Sequence, residues 1–124
     1  MPGLRALALI GSRARGDSRA DSDWDFAFLA RAGEGGEVSD ALRDLLTRQL
    51  GTDAVDVVDL GRASGVMRFR AARDGRWVYE AAPHAWDDFC VEASLFWCDA
   101  GPTIEAAQRA FLDGLGPVPG GVRP

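Results

Sequence analysis

A small mixed α/β (α+β) domain is the fold class this sequence predicts, on three observations. Short apolar or alternating runs recur between segments of helical spacing, in the order β-α-β-α-β-α-β-α-α. The chain has 124 residues, which suits one domain with a core of its own. Its 47% hydrophobic and 27% charged content is that of an ordinary globular protein. The expected result is a mixed sheet of about four strands flanked by helices.

Each element has its own signal. Residues 4–10 form an apolar run that stops at Gly11, a first strand followed by a Gly-Ser turn. A short helix or loop then runs to about Ala20. From Asp23 to Leu29 the residues alternate. Trp24, Phe26 and Phe28 share one face, and Asp23, Asp25, Ala27 and Leu29 the other, as in a strand with an aromatic core side. The glycine-rich stretch 32–37 reads as a loop, with Ser39 capping a helix that ends at Leu50 and Gly51. Residues 54–60 form a third strand, 62–73 a helix, and Asp74-Gly75 a turn into a strand over 76–80. After Pro83 comes a long helix with a stripe of Trp86, Phe89, Cys90, Ala93, Phe96 and Trp97. Gly101-Pro102 is expected to break it, and Thr103 to cap a last helix to Leu115. The domain is therefore placed at 1–115, with a loose Gly/Pro-rich tail at 116–124.

Charge and cysteine usage exclude several classes. The net charge of −5 argues against direct nucleic-acid binding. All 14 basic residues are Arg, which reads as coding bias and carries no functional conclusion. Cys90 and Cys98 lie eight residues apart on one helix. That is about 12 Å, too far for a disulfide. They read as buried thiols in a reducing compartment. No signal peptide is evident, and no apolar run approaches the roughly 18 residues of a membrane span. A cytoplasmic protein without membrane contact is expected.

Chemistry concentrates in residues 11–25, GSRARGDSRADSDWD. Backbone N–H groups at a Gly-Ser turn suit phosphate. Gly11 permits close approach, and the Ser12 hydroxyl adds a donor. Asp23 and Asp25, two apart on a strand, project side by side. Paired carboxylates repel unless a proton or cation intervenes, and a hard divalent ion such as Mg²⁺ also takes phosphate oxygens. Two such ions would serve an attacking hydroxyl and a leaving pyrophosphate. Asp56 lies among valines, where an unpaired carboxylate is costly, and is the choice for third ligand and proton acceptor. Asp59, on the opposite face by alternation, is the reserve. Arg13 and Arg15 are candidates for contact with a triphosphate, though either could be a solvated turn residue.

The spacing G-S-x10-D-x-D, with Ala14-Arg15-Gly16 and Ser22-Asp23 inside it, resembles the minimal nucleotidyltransferase (MNT) family of the DNA polymerase beta superfamily. The resemblance extends to residues 55–60, to Arg68-Phe69-Arg70 and to residues 75–80, and covers about 4–115. It implies a polymerase-beta-like fold, two Mg²⁺ ions, and ATP held at the Gly-Ser turn. Gly11, Ser12, Asp23, Asp25 and Asp56 match the family's site positions. Many members of that family are antitoxins that transfer AMP from ATP to a tyrosine of a partner HEPN ribonuclease toxin. That is the activity expected here, in a homo- or hetero-oligomer. Relatives often carry a helix before the first strand. Here three residues precede it, so one side of the sheet is expected to be less covered. Two other functions stand beside it: nucleotide transfer to a small molecule, and a non-catalytic module that masks the toxin by binding, with the site spent or incidental.

The remaining residues read as structural. Tyr79 is expected half in the core, and the lone His84 at a helix start on the surface. The Trp-rich stripe is first a core face, with part of it a candidate interface.

Overall fold

The computed structural model describes residues 1–114. The elements are β1 (Leu4–Ile10), α1 (Gly11–Arg15), β2 (Trp24–Ala30), α2 (Gly35–Leu50), β3 (Val55–Asp59), α3 (Gly65–Asp74), β4 (Arg76–Glu80) and α4 (Ala85–Gly114). They build one four-stranded sheet in the order β3-β2-β1-β4. β1 runs antiparallel to β2 and β4, while β2 and β3 are parallel and joined through α2. The expected mixed sheet is present.

The near-continuous apolar run of β1 is explained by its central place, because a strand covered on both faces has no polar side to show. One face carries Leu4, Leu7, Phe26, Phe28 and Val57, packed against Val38 and Leu42 of α2. The other carries Ala6, Ala8, Ile10, Ala27 and Leu29, packed against Ala71 of α3 and Trp86, Phe89 and Ala93 of α4. Small residues in the middle of that second face let the two helices come close. Both faces of the central strands are thus covered, α2 filling one of them, while β4 stays open with Trp77, Val78 and Tyr79 exposed, so the less covered part of the sheet is that edge. The aromatic side of β2 is a core face, and so is the opposite side beyond Asp25.

Three boundaries depart from the sequence reading. Ser39 does not cap α2, which starts four residues earlier at Gly35 after Glu34, with no side-chain cap. The carboxylate of Asp59 lies where a Cβ on Gly35 would collide with it, which sets negative charge against the helix start. Ser64 caps α3 by accepting the Met67 N–H at 3.1 Å, so that helix begins at Gly65 rather than 62. Finally, α4 does not break at Gly101-Pro102 but continues through both to Gly114, and Thr103 lies inside it. Gly101 is buried under Trp97, a contact that holds the turn across the proline. The proposed end at Leu115 and the tail at 116–124 lie outside the described residues.

Gly51 does end α2 in the left-handed conformation, with φ 67°. Both cysteines are free. Cys90 is half-buried, and burial pushes its thiol pKa up, with the nearby Asp87 adding to the effect. Cys98, expected to be buried, is exposed. His84, expected at a helix start, lies exposed just before α4, 3.3 Å from Asp87. Among the described residues no helix is long and apolar enough to cross a membrane.

Candidate active site at the ends of the first three strands

The site begins where β1 runs out. Ile10 pairs with Asp25 across the antiparallel β1–β2 ladder, and Asp25 pairs with Asp56 across the parallel β2–β3 ladder. Residues in register share a face, so Asp25 and Asp56 emerge side by side on the α3 side of the sheet. Gly11 follows Ile10 with φ 74°, a left-handed conformation that favours glycine. It also lies directly against Asp25. Helix α3 passes over this corner and supplies Met67, Arg70, Ala71, Arg73 and Asp74. Together with Gly11, Arg15, Asp25 and Asp56 they line a cavity of about 650 Å³.

Asp25 is perturbed upwards, whereas the Arg73 guanidinium holds the carboxyl of Asp74 below its ordinary value. The Asp25 carboxyl pKa is raised, first by burial, then by the charges of Asp56 and Asp23, with Arg15 pulling the other way. Asp56 itself is exposed, on the edge strand, with an Arg43 guanidinium nitrogen 3.9 Å away. The cost of burial is therefore not what marks it. Its cross-strand position beside Asp25 does. Asp59 lies on the opposite face, where it accepts the Gly61 N–H at 2.9 Å.

The other sequence candidates are distributed unequally. Asp23 lies exposed one residue before β2 and does not line the cavity, although its charge acts on Asp25. Ser12 is half-buried, and its carbonyl accepts the N–H groups of Gly16 and Asp17 at 3.0 and 3.1 Å, closing α1. Arg15 reaches the cavity and pairs with Asp17 at 3.4 Å. Arg13 has a different occupation. Its guanidinium donates to the carbonyls of Ser22 at 2.8 Å and Ala20 at 3.3 Å, and stacks 3.9 Å over Trp24. It ties down the loop that leads into Asp23 and points away from the cavity lining.

Sequence reasoning gives no site role to Arg70, which it names only within the resemblance, to Arg73, or to Asp74, which it reads as a turn residue. The signal for Arg70 and Asp74 is helical spacing, since 67, 70, 71 and 74 share one face of α3, whereas Arg73 lies on the neighbouring face with Phe69. An arginine content that reads as coding bias hides the two cations among fourteen.

The donor set suits a hard divalent cation in kind: carboxylate oxygens, with no thiol or imidazole among them. The repulsion that Asp23 and Asp56 impose on Asp25 is what such an ion would relieve. The three carboxylates feel one another without converging. Among the described residues, no three acidic, imidazole or thiol groups are gathered closely enough to form a ready-made ligand cluster.

The profile of the family described as Polymerase beta, Nucleotidyltransferase matches residues 2–84, the part of the chain that contains all of this corner. The chain belongs to the polymerase beta nucleotidyltransferase family. Among curated proteins it is similar to the protein adenylyltransferase MntA of Aphanizomenon flos-aquae (strain 2012/KM1/D3), with 31% identity over 100 residues. That match covers 72% of this chain and 65% of the relative, so the chain spans slightly under two thirds of the relative's length. Among solved structures it is similar to a toxin–antitoxin with AMP-PNP, with TM-score 0.71 and 26% identity over 93% of this chain and 88% of the other. A tri-AMPylated Shewanella oneidensis HEPN toxin in complex with MNT antitoxin matches with TM-score 0.65. Its 24% identity over 93% and 85% of the two chains shows the shared fold alone. The polymerase-beta-like architecture that the resemblance implies is the one observed. The cavity beside Asp25 lies at the Gly11-Ser12 turn, inside the matched residues.

Proposed function

We propose that this chain is a protein adenylyltransferase that moves AMP from ATP to a tyrosine hydroxyl of a partner HEPN toxin, and so acts as its antitoxin. The observation that carries this is the register that sets Asp25 beside Asp56, against Gly11, in one cavity. The similarity to MntA and to a toxin–antitoxin with AMP-PNP supports ATP as substrate and a protein as acceptor.

Each residue has a role in that reading. Gly11, without a side chain, lets the backbone of the turn come up to a phosphate, and Ser12 and Arg15 add a hydroxyl and a positive charge. Asp25 and Asp56, with Asp23 beside them, would hold Mg²⁺. When bound, Mg²⁺ neutralises phosphate charge and favours attack by a hydroxyl. The acceptor oxygen forms a bond to the α-phosphorus, the bond from that phosphorus to the bridging oxygen breaks, and pyrophosphate leaves. Asp56 takes the hydroxyl proton. It stands at the exposed rim, where an oxygen carried on another protein can reach it. Arg13 keeps Asp23 and the strand that bears Asp25 in place by holding the loop that leads into them. A protein acceptor also suits the surface. Val91, Leu95 and Phe96 are exposed on α4, and Trp77, Val78 and Tyr79 on β4. These residues, rather than the Trp86, Phe89 and Ala93 of the expected stripe, are available to a partner.

The test is transfer of label from ATP marked at the α-phosphate, with Mg²⁺ and the purified toxin encoded beside this chain. A labelled toxin band that disappears with Asp25→Asn and Asp56→Asn is the expected result. ATP binding without any labelled protein would move the acceptor to a small molecule. No binding of ATP would leave a module that acts by covering the toxin.

A further inference from the structure

The cavity beside Asp25 carries more positive charge than the Gly-Ser turn brings to it. Arg70 and Arg73, three apart on α3, both line it. Among the described residues Arg70 has no ion-pair partner. An unpaired guanidinium facing a cavity is a ready receptor for an anion.

Arg73 is held in place. Asp74 accepts from its Nε at 3.0 Å and its Nη2 at 2.9 Å, which uses two of the five N–H groups of a guanidinium. The guanidinium carbon lies 5.8 Å from the centre of the Phe69 ring. Phe69 stacks on Trp97 with centroids 5.0 Å apart and planes 15° apart. Trp97 in turn lies so close over Gly101 that a Cβ there would come within 2.8 Å of the indole. A relay of contacts therefore runs from Gly101 in α4 through Trp97 and Phe69 to Arg73 at the cavity wall. It fixes the direction of a side chain that would otherwise have four free torsions.

We propose that Arg70 and Arg73 receive the β- and γ-phosphates of the nucleoside triphosphate, and that the Gly101–Trp97–Phe69 relay aims Arg73 at them. This rests on the nucleotidyl-transfer reading above and extends it to the leaving group. When the bond between the α-phosphorus and the bridging oxygen breaks, the electron pair stays with pyrophosphate. Asp25, Asp56 and Asp74 line the same cavity, so the negative charge that departs with pyrophosphate needs cations around it, and Arg70 and Arg73 stand on the α3 side of the cavity to receive it. Planar forks of N–H donors match phosphate oxygens in a way a lysine ammonium does not.

The experiment measures equilibrium binding of ATP, AMP and inorganic triphosphate to the full chain and its variants in Mg²⁺. Arg70→Ala and Arg73→Ala should each weaken ATP and triphosphate about tenfold and leave AMP within about twofold. Arg73→Lys, which keeps the charge, should restore only part of the loss. Gly101→Ala should weaken ATP about threefold with AMP unchanged, through displacement of Trp97. Phe69→Leu, which removes the stacked ring without a clash, is the second variant for that arm. Both arginines are exposed, so melting temperatures serve to separate a binding defect from unfolding. If wild type binds ATP and the two alanine variants bind it equally well, or lose AMP to the same degree, the arginine assignment is wrong and the transferase reading stands. If Gly101→Ala and Phe69→Leu both keep wild-type ATP affinity, the relay does not aim Arg73. If wild type binds neither ATP nor triphosphate, both the assignment and the transferase reading fall.

Discussion

A Cβ placed on Gly11 would lie 2.6 Å from Oδ2 of Asp25, well inside van der Waals contact. The same glycine holds φ 74°. Two independent constraints thus fall on one position. Gly11→Ala should lose about 1–2 kcal/mol of stability from the left-handed backbone alone. It should also push Asp25 off its place beside Asp56 and remove most of the transfer of label. The urea midpoint and the labelled-toxin assay check the two effects separately. A variant with wild-type values in both would mean that the turn has room to give.

Asp25 offers a stability prediction with a definite sign. Its pKa is raised in the folded chain, so the carboxyl is more easily held as the neutral acid there than in the unfolded chain. For such a group the stabilising share is fully present below the unfolded pKa, near 3.8, and is lost as pH rises through the higher folded value. Without divalent cations, Asp25→Asn should therefore melt above wild type at pH 7, and the gap should close as pH falls towards 4. Mg²⁺ should raise the wild-type melting temperature at pH 7 more than that of Asp25→Asn. Thermal melts across pH, with and without chelator, read both. A variant that melts below wild type at neutral pH would contradict the first statement.

Arg13 should behave as a tether. Arg13→Ala removes the hydrogen bonds to the carbonyls of Ser22 and Ala20 and the stacking on Trp24. A loss of about 1–3 kcal/mol fits hydrogen bonds from a charged donor. Limited proteolysis should then cut within 17–22 well before the rest of the chain. ATP affinity should fall less than in Arg15→Ala, because Arg15 lines the cavity and Arg13 does not. The reverse order of affinities would return Arg13 to the nucleotide.

Phe28 tests the core that lies behind the site. It is 0% exposed, between α2 and the sheet. Phe28→Ala should cost about 3–5 kcal/mol, enough to unfold a marginal domain at 37 °C. Phe28→Leu should keep most of the fold and transfer at 25 °C. Denaturant midpoints of the two variants make the comparison.

How far the sequence reached depended on whether a signal was local. The strands were legible because alternation and apolar runs are properties of neighbouring residues. Asp25 and Asp56 do meet at one cavity, but the argument the sequence offers for Asp56 is burial, and it is exposed. What unites the two is the register of neighbouring strands, a long-range pairing that no window of the sequence contains. Arg13 and Arg15 were indistinguishable for the same reason, since only the folded loop takes one of them away. Pro102 was read by a local rule that tertiary packing over Gly101 overrides. Arg70 and Arg73 were visible in outline, as two like residues one turn apart, but nothing in the chain itself said which cavity that turn of helix would cover.

The last part of α4 has a consequence in time rather than in shape. Thirty residues of helix extend about 45 Å. Trp86, Phe89 and Ala93 anchor the first part in the core, whereas Glu105 to Gly114 are exposed throughout. Pro102, at the border, has no N–H to pass the hydrogen-bond ladder across. A helical stretch of that length is marginal in water without burial. Amide protons before Gly101 should therefore exchange with solvent only when the whole domain opens. Those beyond Thr103 should exchange many times within one such event, so that a single continuous helix keeps two clocks.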